Sequence, residues 1–195
     1  MSLNGTLPTN HHSPANHHTP GAPISVVVVS GNPRPGSRTL TVAEAVGSRI
    51  RTALTGPVLH QTVEVADLGP EIFAAERPRT SGALATISHA DVLVVATPVY
   101  KASYTGLLKL FLDQLAPNAL QGAIAVPVVV SAAPSHGLVG EAYLRPLLVE
   151  LGATVPTRAF AVTEAQLNDL DDVVQGWWAG ASAPLLHSVR VVAGS

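Results

Sequence analysis

The apolar positions of this chain fall into three nearly unbroken runs, residues 24–29, 91–97 and 123–131, with looser ones at 58–65 and 155–162. In the first run only Ser25 interrupts a β-branched series. Runs of this kind predict strands buried on both faces, as in a parallel sheet. Between them the spacing changes to three and four residues. Leu40, Ala43, Val46, Gly47 and Ile50 predict a helix over 38–54, stopped at Gly56-Pro57. Residues 81–89 predict a short helix, and Leu107, Leu108, Phe111, Leu112 and Leu115 mark another over 107–115. A helix over 138–151 ends at Gly152, and a last one over 169–192 is interrupted by small residues and Pro184. Residues 67–80 read as irregular, and the alternation at 58–65 reads as an edge strand. Pro127, inside the fourth strand, predicts a bulge or a displaced edge.

Strands alternating with crossover helices imply an α/β fold, a doubly wound parallel sheet of five strands with helices on both faces. Ligands of such sheets sit outside the carboxyl ends of the strands, where the winding reverses. The loops after strands one, three and four share that rim if the strand order is 2-1-3-4-5.

The first of these loops, Ser30-Gly31-Asn32-Pro33-Arg34-Pro35-Gly36-Ser37, joins a buried strand to a helix start. That geometry points backbone N–H groups and a helix N-terminus at an anion. Ser30, Asn32, Ser37 and Thr39 add hydroxyl and amide groups, and Arg34 and Arg38 add charge-assisted donors. The loop lacks the Gly-Lys-Ser/Thr of a P-loop, and Gly31 and Gly36 are too far apart for a G-x-G-x-x-G fingerprint. A strand-to-helix loop whose Ser and Asn only cap the helix is the plainer reading.

Composition narrows the class. The 195 residues suffice for one ordinary domain over 24–195 with a sizeable core. Residues 1–23, rich in Asn, His, Pro and Thr, read as a disordered tail; His11, His12, His17 and His18 on it make a poor specific metal site without a scaffold. Hydrophobic residues reach 47% and the mean hydropathy is +0.32, yet no window holds the ~18 apolar residues of a membrane span. The net charge of −2, without a basic stripe, argues against nucleic acid. The chain has no cysteine, which excludes a thiolate nucleophile or cysteine-based metal site and is compatible with a cytoplasmic protein. The only lysines, Lys101 and Lys109, both lie in the stretch after the third strand.

That stretch, Thr97-Pro98-Val99-Tyr100-Lys101-Ala102-Ser103-Tyr104-Thr105-Gly106-Leu107-Leu108-Lys109, resembles, together with residues 30–38, the NAD(P)H-dependent FMN reductases. The alkanesulfonate-utilisation branch, whose members supply reduced flavin to a separate monooxygenase, is the nearer likeness. It continues through residues 118–122 and 132–146 and covers roughly 24–162. The resemblance implies a flavodoxin-like fold, FMN as flavin, NADPH or NADH as reductant, and a homodimer or homotetramer. It implies that Ser30, Asn32, Arg34, Ser37, Arg38 and Thr39 hold the FMN phosphate. Pro98, Val99, Tyr100 and Lys101 would lie along the isoalloxazine and ribityl chain. Residues 131–136, with Ser131, Ala132 and His136, would close the other side. Tetrameric members carry an inserted tyrosine in the next helix; here Tyr143 stands one position away, with Ala142 at the matching place. Hydride transfer from nicotinamide to flavin needs no side-chain acid or base, so no catalytic side chain is expected. Three other readings stay open: a reductase of quinones, azo compounds or metal oxyanions that keeps its FMN, a flavodoxin-type electron carrier, and a nucleotide-binding regulatory domain.

Overall fold

The computed structural model describes residues 22–193, so residues 1–21, with the four tail histidines, lie outside the described residues. In chain order come β1 (Ile24–Ser30), α1 (Arg38–Arg51), β2 (Val58–Glu64), α2 (Pro78–Ser88), β3 (Val92–Pro98), α3 (Gly106–Leu112), β4 (Ile124–Ser131), α4 (Arg145–Glu150), β5 (Phe160–Thr163) and α5 (Leu170–Ala193). Short 3-10 turns occupy Val65–Glu71, Pro134–Gly137 and Glu164–Asp169. The strands form one sheet in the order β2-β1-β3-β4-β5, with every pairing parallel. This is the predicted doubly wound fold.

The near-continuous apolar runs follow from a sheet covered on both faces. Val26, Val28, Val92 and Val94 pack with α1 and α5, while Val27, Val29, Leu93 and Val95 pack with α2, α3 and the 144–151 region. Each such fully buried Val or Leu contributes about 1.5–3 kcal/mol relative to exposure, so neither face tolerates a polar residue cheaply. On the first face, Arg49 of α1 lies 4.5 Å over the ring of the buried Trp178 in α5, and Trp177 meets Phe160 edge-on at 5.6 Å. Both tryptophans are packing residues, and α1 is thereby held beside α5.

Four expectations change. First, Pro127 causes no bulge: it pairs in register with Val95. The N–H of Ala125 points away from β3, to Thr154 O at 2.8 Å, so the backbone nitrogen of residue 127 faces the same way. There the sheet has a gap, because β5 begins only at Phe160, opposite Val128. The donor that proline lacks has no ladder partner to lose.

Second, β5 is four residues long rather than eight. Thr154 makes a single bridge to Ile124, and the segment then leaves the ladder. Its backbone groups are taken by side chains. Arg145 donates Nη1 to Val155 O at 2.8 Å and Nη2 to Thr157 O, and Glu141 Oε1 accepts from Ala159 N at 2.7 Å.

Third, the helix expected over 138–151 is broken into a π-turn, Gly140–Leu144, and α4. A π-turn holds one extra residue and is common at functional sites. Tyr143 lies in it and is exposed. Fourth, α5 runs unbroken through Pro184. The i−4 carbonyl that proline leaves without a donor belongs to Gly180, an exposed position that water reaches.

Candidate functional site

Register places the rim. Glu64, Ser30, Ala96, Val128 and Phe160 stand side by side across the five strands. The winding reverses between β1 and β3, so a crevice opens beyond Ser30 and Ala96, between the loops that follow those two strands.

The loop after β1 is a self-bonded cradle. Gly31 N donates to Ala96 O at 2.8 Å, carrying the ladder one residue past β1. Asn32, 9% exposed, accepts from Arg34 N through Oδ1 at 2.9 Å and donates Nδ2 to the buried Thr39 Oγ1 at 3.0 Å. Asn32 and Thr39 therefore shape the loop from beneath. Gly36 turns the chain at φ +60°, a left-handed conformation that favours glycine. Ser37 caps α1, accepting from Leu40 N at 3.4 Å, while a helix start leaves its first-turn N–H groups without intrahelical acceptors. Arg34 and Arg38 are exposed. Ser30 is fully buried, and its Oγ has no hydrogen-bond partner among the described residues. A buried hydroxyl without a partner is costly unless something else satisfies it.

The loop after β3 is locked to the first. Thr105, 1% exposed, caps α3 by accepting from Leu108 N at 3.1 Å and donates Oγ1 to Gly31 O at 2.5 Å. Thr105 N in turn donates to the buried Thr97 Oγ1 at 3.1 Å. The approach is close enough that a Cβ at Gly31 would lie 2.7 Å from Leu108 Cβ. Between Pro98 and Thr105 the chain folds into a hairpin turn closed by Tyr100 N to Ser103 O (2.9 Å) and Ser103 N to Tyr100 O (3.1 Å). Its central residues, Lys101 and Ala102, have φ of +51° and +59°, the signature of a type I′ turn. Neither is a glycine, so this turn stores strain of order 1–2 kcal/mol per residue. It projects Tyr100 and Lys101, both exposed, from the carboxyl end of β3, while Pro98 is buried and Val99 half-buried. Tyr104 packs against the core and Lys109 pairs with Asp113 at 2.5 Å, the bond that raises its pKa; both stand off the rim.

The loop after β4 carries the third set. Ser131 is buried and donates to Ala133 O at 2.9 Å, while Ala132 and His136 are exposed. Behind it the Glu141–Arg145 pair clasps the strand-like segment described above. The Arg145 guanidinium, bonding Glu141 Oε2 at 2.6 Å, holds the Glu141 carboxyl below the usual carboxylate range, with burial opposing and the Ala159 N–H assisting.

Thr105, Gly31, Thr97, Glu64 and Glu164 are the rim residues that sequence reasoning missed. Thr105 before Gly106 at a helix start was the one with a signal, an N-cap residue. Glu64 Oε2 accepts from Gly36 N at 2.9 Å, and Glu164 Oε1 lies 3.1 Å from Arg38 Nη2. His60, on β2, bonds Glu44 at 3.0 Å and is structural. A separate groove of about 490 Å³ lies between residues 156–158 and α5. Arg158 is its only charged lining residue, and it stands before β5, at the end of the sheet opposite the rim.

The description "NADPH-dependent FMN reductase" belongs to the family model that matches residues 24–166. A Pseudomonas putida protein named NADH-dependent FMN reductase SfnF is 36% identical over 73% of this chain and 79% of its own length. The FMN reductase (NADPH) of Pseudomonas aeruginosa is 34% identical over 88% of this chain and 90% of its own. Among solved structures, the apo form of NADH:FMN oxidoreductase (EMOB) superposes with a TM-score of 0.72 at 30% identity, covering 87% of this chain and 88% of that one. With a five-stranded parallel sheet in the order 2-1-3-4-5 and this match across most of its length, the chain belongs to the NADPH-dependent FMN reductase family.

Proposed function

We propose that this chain is an NAD(P)H:FMN oxidoreductase that releases its reduced flavin to a separate monooxygenase. The observation that carries the flavin site is the buried Ser30 hydroxyl without a partner, next to the cradle at the winding reversal. An FMN phosphate fits that donor set: hydroxyl, first-turn N–H groups of α1, and the Arg34 and Arg38 guanidinium groups. When bound, FMN supplies the two-electron acceptor for nicotinamide, and no side-chain acid or base is needed.

The residues' tasks are then binding and orientation. Ser30, Ser37, Arg34 and Arg38 would hold the phosphate, with Asn32 and Thr39 fixing the loop's shape. Pro98, Val99, Tyr100 and Lys101 would line one side of the flavin, and Ala132 and His136 the other. The Lys101 ammonium, carried on the exposed turn after β3, would bring positive charge to a reduced ring. Exposure of Arg34, Gly36, Arg38, Tyr100, Lys101, Ala132 and His136 makes the rim open, which suits a flavin that comes and goes.

The test is NADPH or NADH oxidation at low enzyme concentration with FMN titrated from below stoichiometric to large excess. A rate that saturates well above one FMN per subunit supports flavin as substrate. A plateau at one per subunit, with turnover only on added quinone, overturns the release reading in favour of a bound-flavin reductase. No oxidation with either nucleotide overturns the enzyme reading.

A further inference from the structure

Two carboxylates sit on the donors of the cradle. Glu64, whose Cα neighbours that of Ser30 across the ladder, places Oε2 2.9 Å from Gly36 N. Glu164, at the start of the turn that leads into α5, places Oε1 3.1 Å from Arg38 Nη2. They come from opposite edge strands of the sheet, β2 and the end of β5, and converge on one loop. Neither is needed to neutralise a buried cation, because Arg38 and Glu164 are 66% and 47% exposed. As stability elements such exposed pairs are worth little. Their placement matters more for what else competes for the same donors.

We propose that Glu64 and Glu164 are internal competitors of the flavin phosphate, specificity-determining residues that hold FMN affinity down so that the flavin exchanges. The inference rests on the reading of this loop as a phosphate cradle. A phosphate dianion that takes the Gly36 N–H must displace the Glu64 oxygen, and one that takes the Arg38 Nη2–H must displace that of Glu164. Bonded instead to another N–H of the Arg38 fork, it still lies beside both negative charges. Each carboxylate left beside the dianion repels it through solvent, an effect that salt screens. Riboflavin, which lacks the phosphate, meets no such competition. The two carboxylates therefore narrow the preference for FMN over riboflavin and keep release fast.

The experiment measures dissociation constants of FMN and riboflavin by flavin fluorescence for the full chain and for Glu64→Gln, Glu164→Gln and the double variant, at two salt concentrations. Glutamine keeps the size of each side chain and a carbonyl oxygen for Gly36 N–H, and melting curves verify that each variant folds. Each single variant is expected to tighten FMN roughly two- to tenfold, the double variant more, with riboflavin unchanged and the gain shrinking as salt rises. Unchanged or weaker FMN binding in both variants, with the unaltered chain still preferring FMN to riboflavin, overturns the competition and leaves the cradle standing. Equal tightening of both flavins also overturns it, since the effect would not involve the phosphate. If FMN and riboflavin bind alike both in the unaltered chain and in the double variant, the cradle reading itself fails, and the competition with it.

Discussion

Replacing Thr105 by valine removes one hydroxyl and keeps the shape of the side chain, so it isolates the bond between the first two loops. Thr105 Oγ1 accepts from Leu108 N and donates to Gly31 O, and at 1% exposure water cannot take over either role. Loss of an N-cap acceptor costs typically about 1 kcal/mol. A buried carbonyl left without its donor costs about 1–3 kcal/mol more. The two terms share one hydroxyl and are not independent, which puts the total at about 2–4 kcal/mol. For a domain of this size each kcal/mol lowers Tm by about 2–4 °C, so the expected drop is roughly 5–15 °C. Thermal unfolding followed by circular dichroism reads it. Thr105→Ser, which keeps the hydroxyl, should recover most of the loss. In the valine variant FMN and riboflavin should weaken together, because the phosphate donors are untouched while the two loops lose their mutual register. A valine variant melting within 2 °C of the parent, or a serine variant as damaged as the valine one, would refute the reasoning.

Three further outcomes follow from the same geometry. Ala102→Gly relieves a left-handed residue, so the urea midpoint should rise by the equivalent of up to about 1 kcal/mol; a clear loss of stability would remove the strain argument. Arg38→Ala should weaken FMN about tenfold, the low end for a charge-assisted bond because Arg38 is 66% exposed, with riboflavin barely affected; equal losses for both flavins would contradict the phosphate role. The Glu141 carboxyl, lowered chiefly by Arg145, contributes stability that is present above the unfolded carboxylate's range, near pH 4.5, and is lost as pH falls through its folded value. The stability gap between the parent and Glu141→Gln should thus stay constant from pH 7 to about pH 5 and close below it, read from urea midpoints across that range; a gap widening in acid would invert the sign.

Strands β1, β3 and β4 were legible because burial on both faces writes itself as an unbroken apolar run, and the order of elements then fixed the class of sheet. The loops after these strands were legible for the same reason, since their polar residues stand out against such runs. Other features have no local signal. Residues 155–159 look strand-like, yet their backbone groups are claimed by Arg145 and Glu141 from another element, a competition that periodicity cannot register. The type I′ turn at Lys101-Ala102 lacks the Asn or Gly that ordinarily announces it. The polar groups of Asn32 and Thr39 bond each other beneath the loop, a pairing across seven positions that no local pattern announces. The Gly31–Thr105 tie spans 74 positions, and Glu164 reaches Arg38 across 126, distances over which one sequence carries no pairing information.

The short β5 and the gap beside Pro127 also bear on how this protein behaves when crowded. An outermost strand is a template on which a stray extended peptide can add itself, the first step toward aggregation. Here an invading strand would find only the four residues from Phe160 to Thr163 to pair with. Before them the backbone leaves the ladder, its carbonyls held by Arg145, and the next strand inward presents a proline that has no hydrogen to offer. The side of the sheet beyond β4 thus offers an invader no more than four residues, a guard suited to a chain in which 47% of residues are hydrophobic.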